Sequence, residues 1–154
     1  RPKELRCAEW QEINFQISEW RIPATKMKSG KDHIVPLSTQ AAAILVEQFK
    51  ITGHSSIYVF PSARSVHRPM SDNAILSAFR NLGIPKDEMT GHGFRAMART
   101  ILDEVLGERI ELIEHQLAHA VRDSLGRAYN RTKHLFQRKE MMQRWADYLD
   151  SLAN

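Results

Sequence analysis

The spacing of apolar residues changes once along this chain of 154 residues, and the change limits which folds it can adopt. Residues 12–16, 19–22 and 34–37 are short runs rich in Ile, Phe, Trp and Val, as is typical of β-strands. After residue 38 the apolar residues recur mainly at helical spacing. Strands followed by a series of helices indicate an α+β fold. The sequence therefore predicts a mostly α-helical domain with a small three-stranded antiparallel sheet.

Capping and terminating residues predict where the elements begin and end. Ser38 or Thr39 caps a helix after the third strand, and Ser71 caps a helix that Gly83 ends. Residues 29–30 (Ser-Gly) predict the turn between the second and third strands. The Ser38 helix is predicted to end near residue 50. Further helices are predicted over residues 2–9, 94–106, 110–117 and 125–152, with an extended run over 57–60 and a loop over 62–70.

Bulk composition excludes several kinds of protein. Cys7 is the single cysteine, which excludes an intramolecular disulfide and a cysteine-based zinc site. A reducing, cytosolic setting is therefore favoured. No run of about 18 apolar residues is present, so the sequence predicts no membrane-spanning helix. No linker or internal repeat interrupts the chain, and we expect one domain over residues 1–154.

Positive charge is concentrated in two segments, although the net charge of +4 is mild. Residues 21–33 carry four Lys or Arg residues against one Asp, and residues 129–144 carry five against one Glu. Such segments fit the phosphate backbone of a nucleic acid, or they are two ordinary solvated faces. Charge alone leaves both interpretations open.

A His and an Arg open one of the predicted helices. His92 and Arg95 are three residues apart, so they share a helix face. The N–H groups at a helix start favour an anion, and an Arg can hold two phosphate oxygens at once. The pair alone is weak evidence, because the same spacing also occurs on ordinary surfaces.

Further basic residues stand at turns. Lys28 lies at the tip of the hairpin between the second and third strands, with Lys26 and Lys31 close by. A Lys in this place is either solvated or able to protonate a leaving oxygen. His119 lies where a helix ends, and it either caps that helix or belongs to a site.

Tyr129 is the last of the candidate catalytic residues along the chain. A phenol titrates near pH 10, so a nucleophilic Tyr needs cations or a base nearby, and Arg127 and Arg131 flank this one. The alternative is an ordinary Tyr at the surface of a helix. Together with Arg1, these residues place cations around one hydroxyl, with no acidic pair and no metal cage. Such a set suits attack of a Tyr hydroxyl on a phosphodiester.

The order of these residues resembles the catalytic domain of the tyrosine recombinases, in particular the phage-type integrases of prophages and genomic islands. The segment Arg1-Pro2-Lys3-Glu4-Leu5-Arg6 is similar to the first box of that subfamily, and Lys28 stands where its hairpin lysine is expected, eight residues before Pro36. Three further segments are similar to its later boxes: His92-Gly93-Phe94-Arg95, Leu117-Ala118-His119 and Ala128-Tyr129-Asn130-Arg131. The resemblance covers essentially the whole chain.

The resemblance implies six catalytic residues, which are Arg1, Lys28, His92, Arg95, His119 and Tyr129. The Tyr would attack the scissile phosphate and form a 3′-phosphotyrosyl bond, while the two Arg residues clamp the phosphate oxygens. The Lys would protonate the departing 5′-oxygen, the first His would assist proton transfer, and the second His would hydrogen-bond the phosphate. No metal or other cofactor is implied.

Five other residues would support the site or contact DNA. The supporting residue is Glu4, and the DNA contacts are Lys26, Lys31, Arg127 and Arg131. Lys26 also competes with Lys28 for the role of hairpin lysine, and the distance to Pro36 favours Lys28.

The resemblance also implies partners and a location. Residues 1–154 would be the C-terminal catalytic domain of a cytoplasmic, nucleoid-associated bacterial protein whose N-terminal DNA-binding domains lie outside this chain. It would act on double-stranded DNA attachment sites as a tetramer, with accessory DNA-bending proteins. The helix over residues 131–152 would pack on its own domain or dock on a neighbouring protomer. The alternative functions are DNA relaxation of the type IB topoisomerase kind and DNA binding without catalysis.

Overall fold

The computed structural model describes residues 1–119 and 134–153 of the chain. A three-stranded antiparallel sheet lies near its beginning, formed by β1 (Ile13–Asn14), β2 (Glu19–Ile22) and β3 (His33–Pro36) in that order. Strand β2 is central, and it pairs along its whole length with β3, from Glu19 opposite Pro36 to Ile22 opposite His33. The three predicted strands are therefore confirmed.

Helices make up most of the remaining structure, which confirms the predicted α+β class. They are α1 (Pro2–Arg6), α2 (Thr39–Thr52), α3 (Ala74–Asn81), α4 (Gly93–Thr100), α5 (Ile110–Gln116) and α6 (Leu135–Ala153). Helix α4 continues into a π-helical turn over Ile101–Val105, and short 3₁₀ turns cover Trp10–Glu12 and Ala24–Lys26. Ser38 caps α2 as predicted, because its hydroxyl accepts a hydrogen bond of 3.2 Å from the Ala41 N–H. Among the described residues, no helix is long and apolar enough to cross a membrane.

Three predicted elements differ from the structure. The first helix ends at Arg6 rather than at residue 9, because the following backbone turns toward residues 57–59 and the Ala8 carbonyl accepts from the Val59 N–H at 2.9 Å. The predicted loop over 62–70 is a second hairpin, formed by β4 (Pro61–Ser62) and β5 (Ser65–Pro69). Helix α3 begins at Ala74 and not at Ser71, so the predicted cap is wrong.

The hydrophobic core lies where the π-helical turn, α5 and α6 meet. Its buried residues are Leu102, Leu112, Ile113, Leu117 and Met141, with Leu106, Met142 and Trp145 packed against them. Leu117 is the last of these before the segment that carries His119, so the core fixes the place at which that segment leaves α5.

Helix α6 packs on its own domain through both apolar and polar contacts. Arg138 is fully buried and joins α6 to two other elements, because its guanidinium donates to the Gln116 Oε1 at 2.6 Å and to the Ile34 carbonyl at 2.5 Å. Arg144 forms a two-fold ion pair with the buried Glu108, at 2.6 and 2.9 Å. The interpretation of this helix as part of its own domain is therefore the one that the fold supports.

Candidate active site

Arg1 and Glu4 form the first part of the site at the start of α1. The Arg1 guanidinium donates to the Glu4 Oε1 at 2.8 Å, and Glu4 is buried. Burial alone would raise the pKa of Glu4, but that pKa lies below its ordinary value, and the hydrogen bond and positive charge of the Arg1 guanidinium contribute to lowering it. Glu4 therefore stays ionised and fixes the position of the Arg1 side chain, which fits its predicted supporting role.

His92 and Arg95 form the second part at the start of α4, as their spacing predicts. His92 is the N-cap residue, its side chain is exposed, and its carbonyl accepts from the Arg95 N–H at 3.0 Å. The half-buried Arg95 side chain extends to the segment after α5, where it donates to the Leu117 carbonyl. The Arg95 side chain thus connects the start of α4 with the end of α5.

A left-handed residue after α5 brings the two Arg side chains to one place. Ala118 has a φ of 51°, in the left-handed region, and the next residue donates its backbone N–H to the Glu114 carbonyl at 3.0 Å, which ends α5. The Leu117 carbonyl accepts from Arg95, and the Ala118 carbonyl accepts from Arg1 at 3.5 Å. Two guanidinium groups from separate helices therefore converge on two consecutive carbonyl groups.

His119 lies beside these groups, and a carboxylate holds its other side. The His119 Nε2 is 3.1 Å from the Arg95 Nη2, and its Nδ1 is 2.5 Å from the Glu114 Oε2. The second oxygen of Glu114 accepts from the Arg99 Nε at 2.8 Å. Glu114 is a site residue that the sequence reasoning missed, although its place on the helix immediately before His119 was visible in the sequence.

The electrostatics of this cluster favour an anion. The pKa of Arg95 lies below its ordinary value because burial and the positive charge of Arg1 both disfavour its guanidinium, with Glu4 and Glu114 opposing them. A bound anion near the two guanidinium groups would reduce that repulsion. Arg forms paired hydrogen bonds with phosphate oxygens, so the cluster of Arg1, Arg95 and His119 suits a phosphate group.

The lysines of the β2–β3 hairpin have different surroundings. The Lys26 ammonium donates to the Glu9 Oε1 at 2.7 Å, the Glu12 Oε1 at 2.5 Å and the Cys7 carbonyl at 2.8 Å. Burial alone would lower the pKa of Lys26, but the hydrogen bonds to these carboxylates outweigh it and raise that pKa.

Lys28 and Lys31 are exposed, and within the described part of the chain their ammonium groups form no hydrogen bond or ion pair. Lys26 is therefore engaged in anchoring the hairpin, and a DNA contact by Lys26 would compete with three acceptors. Lys28 and Lys31 are thus both free to contact a phosphate or a leaving oxygen as far as the described residues show, and the choice of Lys28 still depends on its distance from Pro36 in the sequence.

Three predicted site residues lie outside the described residues, namely Tyr129, Arg127 and Arg131. The structure therefore brings together Arg1, Glu4, Arg95 and His119, and it places His92 at the start of the helix that carries Arg95. In residues 1–119 and 134–153, no group of three or more His, Cys, Asp or Glu residues is arranged to hold a metal ion.

Comparison with known proteins shows which family the chain resembles along most of its length. The model of the phage integrase family matches residues 1–135. The prophage integrase IntA of Escherichia coli K12 is 42% identical over 147 residues, which cover 96% of this chain and 35% of that protein. The integrase of Enterobacteria phage P4 is 42% identical over 168 aligned positions, covering all of this chain and 38% of that protein. The chain thus spans less than half the length of these relatives.

A solved structure shares the fold. The crystal structure of XerA recombinase aligns with 90% of this chain and 52% of that protein, with a TM-score of 0.62 and 22% sequence identity. At this identity the likeness concerns the fold, and it is consistent with the predicted tyrosine recombinase catalytic-domain fold.

Proposed function

Because the chain belongs to the phage integrase family, we propose that it is the catalytic domain of a site-specific DNA recombinase, which cuts and rejoins DNA strands through a 3′-phosphotyrosyl intermediate. The observation that carries this proposal is the convergence of Arg1, Arg95 and His119 at the turn after α5. Three side chains from three segments can surround one phosphate there.

In the proposed reaction, the Tyr129 oxygen forms a bond to the scissile phosphorus and the bond from phosphorus to the 5′-oxygen breaks. Arg1 and Arg95 stabilise the negative charge that develops on the non-bridging oxygens. His92 accepts the phenolic proton, and His119 hydrogen-bonds one phosphate oxygen. The phosphotyrosyl bond keeps the energy of the phosphodiester, so the 5′-hydroxyl of a partner strand can reverse the step without ATP.

Lys28 is the proposed general acid for the departing 5′-oxygen. Its exposure and its place in the β2–β3 hairpin support this role, since the ammonium group is not engaged by carboxylates as that of Lys26 is. A flexible stem lets a Lys follow the leaving oxygen as the bond to phosphorus lengthens. The carboxylate anchors on Lys26 would hold the base of the hairpin while Lys28 reaches the DNA.

The proposed partners follow from the family. Its substrate would be double-stranded DNA attachment sites, contacted through Lys31, Arg127 and Arg131 as well as the catalytic cluster. We propose four protomers on two duplexes, assisted by DNA-bending proteins, in the cytoplasm of a bacterium and at its nucleoid. Further DNA-binding domains would belong to the longer protein, as the relatives are more than twice the length of this chain.

A DNA substrate that traps the covalent intermediate tests the proposal. The substrate is nicked next to a candidate crossover so that the short 5′-hydroxyl strand diffuses away after cleavage. We expect a protein–DNA adduct on a denaturing gel, its loss in Tyr129→Phe, and its retention in the control Tyr148→Phe. Arg95→Ala should reduce the adduct by a factor of about 100 or more, as for removal of one oxyanion donor.

The same assay distinguishes the alternatives. Relaxation of supercoiled DNA without site preference by a monomer would favour the topoisomerase function, and sequence-specific binding with no adduct would favour a DNA-binding module. The assay is run on this chain and on the natural protein that includes it. Absence of an adduct from both on the correct site would contradict the catalytic proposal.

A further inference from the structure

We propose that Glu114 is the positioning residue of His119, holding its imidazole so that Nε2 faces Arg95 and the phosphate site. The proposal deepens the function proposed above and depends on it for its catalytic consequence. The contact itself is a property of the folded chain, with 2.5 Å between the Glu114 Oε2 and the His119 Nδ1. It can therefore be measured in the absence of DNA.

The hydrogen bonds around His119 determine which ring nitrogen carries a proton. An Arg guanidinium only donates, so the His119 Nε2 must accept from Arg95 across their 3.1 Å contact. A carboxylate only accepts, so the Nδ1 must donate to Glu114. The neutral ring therefore carries its proton on Nδ1, which is the less favoured tautomer of a free imidazole.

Glu114 is itself held in place by a second cation. Its Oε1 accepts from the Arg99 Nε at 2.8 Å, and Arg99 also lies 3.9 Å from Asp103 one helical turn later. Burial alone would raise the pKa of Glu114, but the hydrogen bonds from His119 and Arg99 outweigh it and lower that pKa. The carboxylate thus remains charged, with one oxygen for each donor.

The Glu114 carboxylate also stabilises the orientation of the His119 ring when a phosphate is bound. When Arg95 turns its guanidinium to a phosphate oxygen, His119 can donate from Nε2 only as an imidazolium. Glu114 opposes the positive charges of Arg95, which contacts the ring, and of Arg99, which contacts the carboxylate. The arrangement is that of other carboxylate–His pairs, in which the carboxylate orients the ring and stabilises its charged form.

Glu114→Gln tests this role because an amide has one oxygen where the carboxylate has two. Its oxygen can accept from Arg99 or from His119, and its NH₂ then opposes the other donor. We expect the rate of adduct formation to fall by about 10- to 100-fold, while the DNA concentration at half-saturation is unchanged. The matched control is Glu111→Gln, an exposed carboxylate on the same helix, which should leave the rate unchanged.

A double variant separates positioning from general loss of structure. In Glu114→Gln with Arg99→Leu, no Arg99 guanidinium competes for the amide oxygen, which can therefore accept a hydrogen bond from the His119 Nδ1. We expect the double variant to cleave faster than Glu114→Gln alone, which damage to the fold would not produce. A double variant as slow as or slower than Glu114→Gln, or a Glu114→Gln variant as fast as the unmodified protein, would overturn the proposal.

Nitrogen NMR of the labelled His side chains in this chain measures the tautomer directly. We expect a pyrrole-type resonance at Nδ1 and a pyridine-type resonance at Nε2 of neutral His119, with the Nδ1 proton shifted downfield by its hydrogen bond to Glu114 and much less so in Glu114→Ala. If Nε2 carries the proton in the unmodified chain, or if Glu114→Ala leaves the resonance of the Nδ1 proton unchanged, the pairing is wrong. These spectra do not depend on cleavage, so a failure of the proposed function and a failure of this inference are distinguishable.

Discussion

Burial of His33 should make the stability of this fold sensitive to mild acid. His33 lies at the start of β3, is 5% exposed, and its Nε2 donates to the Gln116 carbonyl at 3.1 Å. Burial is the main reason that its pKa falls from 6.5 to about 4, and the positive charge of Arg138 adds to the effect. The ring is therefore neutral in the folded protein over a range of pH in which it is protonated in the unfolded chain.

The sign and size of the effect follow from that difference. Between pH 6.5 and about 4 the unfolded chain binds a proton that the folded protein excludes, so the free energy of unfolding falls as the pH is lowered through this range. Each tenfold difference in proton affinity corresponds to about 1.4 kcal/mol, so the full loss is about 3 kcal/mol. Above pH 6.5 His33 makes no pH-dependent contribution.

Urea denaturation at about pH 7 and about pH 4.5, followed by circular dichroism, measures this loss. We compare the unmodified chain with His33→Gln, whose amide can donate to the Gln116 carbonyl but does not titrate. His67→Gln on the exposed strand β5 is the control. Between pH 7 and pH 4.5, the free energy of unfolding of the unmodified chain and of the control should fall by about 2–3 kcal/mol more than that of His33→Gln. An equal fall in the free energy of unfolding in all three proteins would show that His33 does not cause the sensitivity to acid.

Two further substitutions test the contacts that hold the end of α5 in place. Arg138→Lys should destabilise the fold by about 2–4 kcal/mol in urea, because the guanidinium donates to Gln116 from both Nε and Nη2 and to the Ile34 carbonyl from Nη2, and a single ammonium nitrogen cannot replace two donor atoms of a fully buried side chain. A loss under about 0.5 kcal/mol would contradict the role given to this residue. Ala118→Gly should raise the free energy of unfolding by up to about 1 kcal/mol, because glycine adopts the left-handed conformation without steric cost, and a lower stability would show that the turn is not strained.

Local patterns in the sequence were sufficient for much of this fold. The capping Ser38, the three strands and the paired His92 and Arg95 depend on neighbouring residues, and the structure has them where the sequence predicts them. The β4–β5 hairpin was missed because its strand β5 is mostly polar and exposed, so it lacks the apolar alternation that marks a half-buried strand.

The surroundings of three other residues could not be predicted from the sequence, because they depend on contacts that only the folded chain makes. Lys26 was predicted to contact DNA, whereas its ammonium is engaged by Glu9 and Glu12, and only the fold brings these groups together. Arg138 belongs to a basic segment, yet it is fully buried because α6 crosses both α5 and β3. Glu114 contacts His119 across the left-handed Ala118, and a positive φ at an Ala is not predictable from spacing.

Identification of the residue joined to DNA tests whether Tyr129 is the nucleophile. The trapped adduct is digested with a protease and a nuclease, and the modified peptide is sequenced by mass spectrometry. We expect a nucleotide joined through its 3′-phosphate to Tyr129. A nucleotide on Tyr58, on Tyr148 or on any other residue, or a bond through a 5′-phosphate, would contradict it.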